Sequence, residues 1–324
     1  MPFAIRIHRT GGPEEMCWEE VAVGEPAAGE ARVRHEAVGL NFIDTYHRSG
    51  LYPLPLPSGL GLEGAGVVEA VGDGVTELRA GDRVAYAGGP VGAYSQLRCL
   101  PADRLLKLPE AIGFRTAAAM MLQGLTSAYL LRRTYRVQAG DSVLIHAAAG
   151  GVGLIACQWA KALGATVIGT VSNQAKAALA KAHGCDHVID YAREEFAPRV
   201  REITGGEGVA VVYDGVGKDT FAASLDSLKT RGMMVCLGNA SGPVPPLDPL
   251  LLSQKGSLFL TRPTLMHYIA RRAELAELGA ELFDLVAAGK VKIEVNQSYP
   301  LAEVAQAHRD LAARKHTGST ILLP

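Results

Sequence analysis

The sequence predicts an α/β protein that joins a β-rich part to a doubly wound parallel sheet. Three observations carry this. Short strand candidates punctuated by glycine and proline fill the first 110 or so residues. Beyond about Phe114, apolar strands alternate with helices. A turn of small residues, Ala147 to Gly153, joins the first of those strands to its helix.

In the first part the expected strands are Ala4–His8, Glu19–Val23, Ala31–Val38, Gly64–Val71, Arg83–Ala87, Ala93–Cys99 and Leu105–Lys107. Val71-Gly72-Asp73-Gly74 and Ala80-Gly81-Asp82 supply turns. Many short strands of this kind suggest a barrel or sandwich. Ala117–Arg133 carries apolar residues at helical spacing.

The alternating part reads as strands Val143–His146, Thr166–Val171, His187–Ile189, Val209–Tyr213, Gly232–Leu237 and Ser257–Leu260. The helices between them are Gly151–Leu163, Gln174–His183, Glu194–Thr204 and Asp219–Leu228. Nearly continuous apolar runs such as Val143-Leu144-Ile145 fit a sheet covered on both faces. A helix Ala273–Ala288, a strand Lys292–Val295, a helix Leu301–Arg314 and a strand Ser319–Leu323 follow, and are expected to return to the first part. The domains are therefore drawn as 1–120 plus 265–324, and 121–264.

Composition sets outer bounds. Of 324 residues, 48% are apolar and 20% charged, which excludes a disordered or fibrous chain. Lys plus Arg is 32 and Asp plus Glu 33, so no global field gathers nucleic acid or anionic membrane. Five cysteines, without a CxxC, fit reduced thiols and a cytoplasmic setting. No signal peptide or membrane span is read.

The Ala147–Gly153 turn has the chemistry of a dinucleotide site. Gly150 and Gly151 let backbone approach a pyrophosphate, Val152 continues the helix start, and helix-start N–H groups face the anion. Gly153 allows close helix–strand packing, while Ala148 stands where the usual fingerprint has glycine. An NAD site normally carries an acid after the second strand. Here Ser172, Asn173 and Lys176 stand there, and no carboxylate occurs from Ser142 to Cys185. A hydroxyl and an ammonium suit a 2′-phosphate, which favours NADPH. Tyr191 either lies against the adenosine end or is a surface tyrosine. Gly215 and the run Leu237-Gly238-Asn239-Ala240 follow later strands, as ribose-side candidates or as ordinary turns. His146 ends a buried strand and reads as a satisfied core histidine.

Several blocks carry a resemblance. They are His8-Arg9-Thr10-Gly11-Gly12-Pro13-Glu14, Gly39-Leu40-Asn41-Phe42-Ile43-Asp44-Thr45-Tyr46 and Arg48-Ser49-Gly50-Leu51-Tyr52. Gly61-Leu62-Glu63-Gly64, Ala147–Gly153, Gln158-Trp159-Ala160-Lys161 and Thr261-Arg262-Pro263 continue it. On these the chain resembles, end to end, the quinone oxidoreductases of zeta-crystallin type, a zinc-free branch of the medium-chain dehydrogenases. The resemblance implies a GroES-like barrel domain plus a Rossmann domain, with the active site in a cleft between them. It also implies a homodimer joined through the Rossmann domains, with the Ser257–Leu260 strand as a pairing edge.

Zinc-dependent relatives have cysteine where Asn41 stands and histidine where Leu62 stands, and they carry a four-cysteine lobe. A carboxamide and an isobutyl group are not zinc ligands, so no metal is expected. The resemblance places Asn41, Phe42, Asp44 and Tyr46 near the nicotinamide and its ribose, and Tyr52 on the substrate side. Thr126 and Tyr129 face the nicotinamide, and Pro263 and Leu265 close over it. Arg314 reaches the cofactor from the C-terminal region, unless it belongs only to a solvated Arg-Lys-His cluster. The implied activity is NADPH-dependent quinone reduction. Reduction of α,β-unsaturated aldehydes or ketones is the enzymatic alternative, and non-catalytic binding of dinucleotide or AU-rich RNA is the other.

Overall fold

A computed structural model describes residues Met1–Pro324. Its contacts divide the chain into two compact units. One comprises Met1–Leu125, Tyr268–Ala287 and Ile293–Pro324; the other comprises Thr126–His267 and Ala288–Lys292.

The first unit is built around one long strand, Glu30–Leu40. Its first half alternates, with Ala31, Val33 and His35 turned inward, while Ala37 to Leu40 are buried on both faces. It pairs antiparallel with Glu63–Val71, Leu97–Pro101 and Ser319–Leu323. Val295–Pro300, Arg83–Ala87 and Leu106–Lys107 complete a seven-stranded sheet, and Phe3–Ile7 centres a three-stranded one. Ile5, Ile7, Val33, Val38, Leu60, Tyr86, Tyr94, Leu100 and Leu322 form the core of this unit. The C-terminal strand thus returns to the first part of the chain, as expected.

The second unit holds six parallel strands. Across the sheet they run His187–Asp190, Thr166–Val171, Ser142–Ile145, Val209–Asp214, Leu228–Cys236 and Phe259–Thr261. Numbered along the chain, the order is 3-2-1-4-5-6. That is the doubly wound dinucleotide-binding order, in which the ligand crevice lies beyond the carboxyl ends where the first and fourth strands meet. Buried Leu144, Ile168, Val212 and Met234 explain why these segments read as continuous apolar runs.

Four local expectations are corrected. A helix at Phe42–Ser49, absent from the sequence reading, follows the long strand directly. The strand expected at Ala93–Cys99 starts only at Leu97 and runs to Pro101, because Ser95 makes just an isolated bridge to Ala4. The strand expected at Lys292–Val295 lies at Val295–Pro300, in register with Ser319–Leu323. Lys292 is unavailable to it, since both its backbone N–H and C=O are taken by the Gln158 carboxamide. The Ala117–Arg133 helix runs Phe114–Tyr129 and then widens into one π turn, Leu130–Thr134.

Candidate active site

Each unit gathers part of the residue set singled out from the sequence. In the first unit the gathering element is the short helix Phe42–Ser49, with Asn41 at its N-cap in an extended conformation. Asp44 sits three residues on and its Oδ2 accepts the Asn41 backbone N–H at 2.9 Å, the reach-back bond of a capping box. The Asn41 side chain completes the box toward the Asp44 N–H and also bonds outward. Its Nδ2 donates to Glu63 Oε2 at 2.5 Å, and its Oδ1 accepts from Gln123 Nε2 at 3.1 Å. Ser319 Oγ in turn donates to Gln123 Oε1 at 2.6 Å. Four buried side chains from four elements therefore form one hydrogen-bonded line.

Gly39 makes this possible. A Cβ there would collide with the Glu63 carboxylate and with the Ala118 carbonyl. Glu63 is fully buried, and its Oε1 accepts the Leu122 N–H at 2.8 Å. Burial pushes its carboxyl up to about 8 against the pull of those hydrogen bonds, and the neighbouring Asp44 adds to the rise.

Asp44 is also completely buried, and burial pushes it up to about 7. Its Oδ2 accepts the Tyr94 hydroxyl at 2.7 Å, while Oδ1 has no partner, which adds to the cost of charge. Behind Tyr94 lies His308, with Nε2 at 3.2 Å from the hydroxyl and Nδ1 at 3.0 Å from Arg48 Nη1. Arg48 only donates, so Nδ1 is the acceptor and Nε2–H donates to Tyr94. Burial, with Arg48 beside it, lowers His308 to about 3 and keeps the ring neutral. Asp44, expected near the nicotinamide, has no exposed surface here and fixes the helix start.

Phe42, Tyr46 and Tyr52 are half-buried and come together edge to face. The ring centroids are 5.6 Å apart for Phe42–Tyr46 and 5.2 Å for Tyr46–Tyr52. The Tyr52 N–H donates to the Tyr46 carbonyl at 3.1 Å, which fixes the second tyrosine against the first. Arg314 is exposed, with a left-handed backbone just past the last helix.

In the second unit, Ala147 adopts φ 51°, a left-handed conformation costly for a residue with a Cβ, at the start of the glycine turn. The Gly150 N–H bonds back to the Ala147 carbonyl at 2.8 Å, and Gly150 is the extended N-cap of helix Gly151–Ala162. The first helix-turn N–H groups, on Gly151, Val152 and Gly153, precede the first i→i−4 bond, Leu154 N–H to Gly150 O at 2.9 Å. A Cβ on Gly153 would meet Ala148 Cα and C at 2.8 Å, so helix and turn are in backbone contact.

One edge of this sheet gathers the residues assigned to the adenosine end. The Tyr191 N–H bonds to the Val171 carbonyl at 3.1 Å, bringing Tyr191 beside Ser172, and the tyrosine is 41% exposed. Asn173 caps the next helix, its Oδ1 accepting the Lys176 N–H at 2.9 Å, so that oxygen is spent on the fold. Beyond the fourth and fifth strands, Ala240 N–H bonds to the Gly215 carbonyl at 3.2 Å, and Leu237 N–H to the Asp214 carbonyl at 2.8 Å. A Cβ on Gly238 would strike Gly215 backbone, so these two glycines let the turns touch. Leu265, Thr126 and Tyr129 are buried, and Pro263 is half-buried.

Sequence reading gave no role to Asp214, which holds these turns. Asp214 Oδ1 accepts from Val216 and Gly217 N–H at 2.8 and 3.0 Å, and its Oδ2 accepts the Thr220 hydroxyl at 2.7 Å. His146 bridges Thr170 and Ser224 hydroxyls at 2.8 and 2.9 Å, which makes it the satisfied core histidine expected. Glu63, Gln123, Tyr94, His308 and Ser319 were also assigned no role. The readable signal was Glu63, a lone carboxylate in the apolar, glycine-rich run Leu60–Val68.

A family model described as a zinc-binding dehydrogenase matches residues 151–284, and one described as an alcohol dehydrogenase GroES-like domain matches residues 27–110. The chain is 57% identical over 325 residues to a quinone oxidoreductase of Pseudomonas aeruginosa, all of both chains being covered. It is 49% identical over 332 residues to a 2-haloacrylate reductase of a Burkholderia species, covering 100% of this chain and 99% of that one. The solved Escherichia coli quinone oxidoreductase complexed with NADPH superposes with a TM-score of 0.97, at 52% identity, over 99% of this chain and 100% of that one. The zinc in the first family's description does not fit the residues here. Asn41 is held by two side chains, Leu62 is hydrocarbon, and no group of three or more His, Cys, Asp or Glu is placed to hold a metal.

Proposed function

The chain belongs to the quinone oxidoreductase family, and on that premise we propose that it is an NADPH-dependent quinone oxidoreductase. The observation that carries the reading is full-length likeness to quinone oxidoreductases, one of them solved with NADPH. The glycine turn fits such a cofactor on its own terms. Its helix start offers free N–H groups to a pyrophosphate, and Gly150, Gly151 and Val152 are the residues that would hold it. Ser172 and Lys176 take the 2′-phosphate, Tyr191 the adenosine side, and Gly215 with Leu237 to Ala240 the ribose side. Bound NADPH supplies the hydride equivalent.

The chain's own residues position and stabilise. Phe42, Tyr46 and Tyr52 offer aromatic faces to a planar acceptor. The tyrosine hydroxyls and the Asn41 carboxamide donate hydrogen bonds to an oxygen that gains charge. Asp44 keeps the N-cap in place beneath them. Thr126, Tyr129, Pro263, Leu265 and Arg314 keep the nicotinamide-side roles that the resemblance implies.

Stopped-flow oxidation of NADPH by a simple benzoquinone tests this. Turnover with NADPH well above that with NADH is expected, and cofactor binding without turnover on any quinone refutes it. The likeness to a 2-haloacrylate reductase favours a second reading, reduction of electron-poor alkenes. Comparing kcat/KM for quinones and enones decides between them.

The open edge strand Phe259–Thr261, with Phe259 and Leu260 57% and 38% exposed, supports a homodimer joined there. No helix is long and apolar enough to cross a membrane. Five free thiols support a reducing, cytoplasmic setting.

A further inference from the structure

The buried line Ser319–Gln123–Asn41–Glu63 has a direction. Ser319 donates to Gln123, Gln123 to Asn41, and Asn41 to Glu63, so every donor points toward the carboxylate. The two middle members are carboxamides, each with an acceptor end and a donor end of nearly the same shape. The carboxylate end is asymmetric as well. Oε1 accepts a fixed backbone N–H, that of Leu122, whereas the donor on Oε2 belongs to a carboxamide that can turn, so Oε2 is the oxygen able to take a proton.

A proton on Oε2 is incompatible with the direction seen. Two donors would then face each other across the 2.5 Å contact between Glu63 and Asn41. The conflict is relieved without orphaning any of the three contacts if both carboxamides turn over. Glu63 O–H then donates to Asn41 Oδ1, Asn41 Nδ2 to Gln123 Oε1, and Gln123 Nε2 to Ser319 Oγ, whose hydroxyl rotates to accept. One proton enters from solvent, and along the line itself three hydrogen bonds are broken and three are formed. Outside the line the turnover moves the Asn41 oxygen away from the Asp44 N–H, which keeps its bond to the Asn41 backbone carbonyl at 3.0 Å.

We propose that Glu63 is a positioning residue whose protonation reverses this hydrogen-bond line and so selects which end of the Asn41 carboxamide faces the reacting groups. The link to the reaction rests on the reading of Asn41 given above; the reversal itself does not. Burial holds Glu63 at about 8, so both forms are populated near neutral pH. The titratable groups that act on or feel this carboxylate are Asp44 of the helix it helps to hold, Tyr86 of the adjoining strand, and Tyr94. Asp44 titrates in the same region, so the test must separate the two.

The experiment follows the side-chain amide resonances of Asn41 and Gln123 in 15N-labelled protein from mildly acid to mildly alkaline pH, in the wild type, Glu63→Gln and Asp44→Asn. In Glu63→Gln the new carboxamide oxygen must face the Leu122 N–H, so its NH2 faces Asn41 and locks the line in the protonated direction. Both resonances are expected to move with one shared midpoint in the wild type and in Asp44→Asn, and to stay at the acid-form positions in Glu63→Gln. Resonances that never move, that move with different midpoints, or that still move in Glu63→Gln overturn the proposal.

If Glu63→Gln fails to fold, infrared difference spectra of the wild type decide. A protonated-carboxyl band lost with the midpoint of the amide shifts supports the reversal, and its absence at acid pH overturns it. The pH profile of kcat/KM for NADPH oxidation then tests the connection to catalysis. A rate that follows the amide midpoint in the wild type and becomes flat in Glu63→Gln supports the positioning role. A rate indifferent to it leaves the reversal standing and refutes the placement of Asn41 beside the reacting groups.

Discussion

Gly153→Ala tests the cofactor turn most directly. A Cβ at position 153 meets Ala148 Cα and C at 2.8 Å, and the Ala147 carbonyl is nearer still. All three are backbone, so no side chain can swing aside. Ordinary contact begins at 3.4 Å and the nearest atom, the Ala147 carbonyl oxygen, lies at 2.4 Å, which requires helix and turn to part by about 1 Å. The displaced groups include the N–H donors of Gly151 and Val152, and hydrogen bonds weaken steeply with such misplacement.

Overpacking of this kind costs about 1–3 kcal/mol. If that cost falls on binding, the NADPH Kd rises about 5- to 150-fold, at 1.4 kcal/mol per decade. The pyrophosphate is common to both cofactors, so NADH must lose affinity by the same factor. Titration of tryptophan fluorescence with each nucleotide measures both. Wild-type affinity in Gly153→Ala, or a loss confined to NADPH, refutes the assignment of this turn to the pyrophosphate.

Lys176→Ala should do the opposite and raise the Kd for NADPH while sparing NADH, since a charge-assisted bond to the extra phosphate is worth about 1.5–3 kcal/mol; equal losses measured by the same titration contradict the 2′-phosphate site. Burial holds Asp44 above its ordinary value, so the folded state keeps a proton that the unfolded state has released. Its contribution to stability is therefore present below about pH 4 and is lost as pH rises through about 7. Asp44→Asn cannot ionise, and in urea unfolding its stability relative to wild type should rise across that window, with a limiting slope of about 1.4 kcal/mol per pH unit; a constant difference counts against the buried acid. Phe259→Asp places a charge on the open edge strand and should leave a monomer in sedimentation velocity while the wild type is a dimer; a monomeric wild type removes that interface.

What the sequence determined by itself is local and periodic. The parallel sheet was legible because its strands are covered on both faces and read as apolar runs, as at Val143–Ile145. The tight turn from Ile145 to Gly151 was legible because a run of small residues between an apolar strand and a helix marks a close backbone approach. The helix Phe42–Ser49 escaped because eight residues show barely two turns of periodicity, although Asn41 and Asp44 stand at capping-box spacing. The strand at Val295–Pro300 was misplaced because its register is set by a partner, Ser319–Leu323, and not by its own residues. The buried lines Glu63–Asn41–Gln123–Ser319 and Asp44–Tyr94–His308–Arg48 were decided by the tertiary structure alone. Bonded partners in them lie up to 260 residues apart, and a hydrogen bond depends on distance and direction in space, which spacing along the chain does not encode.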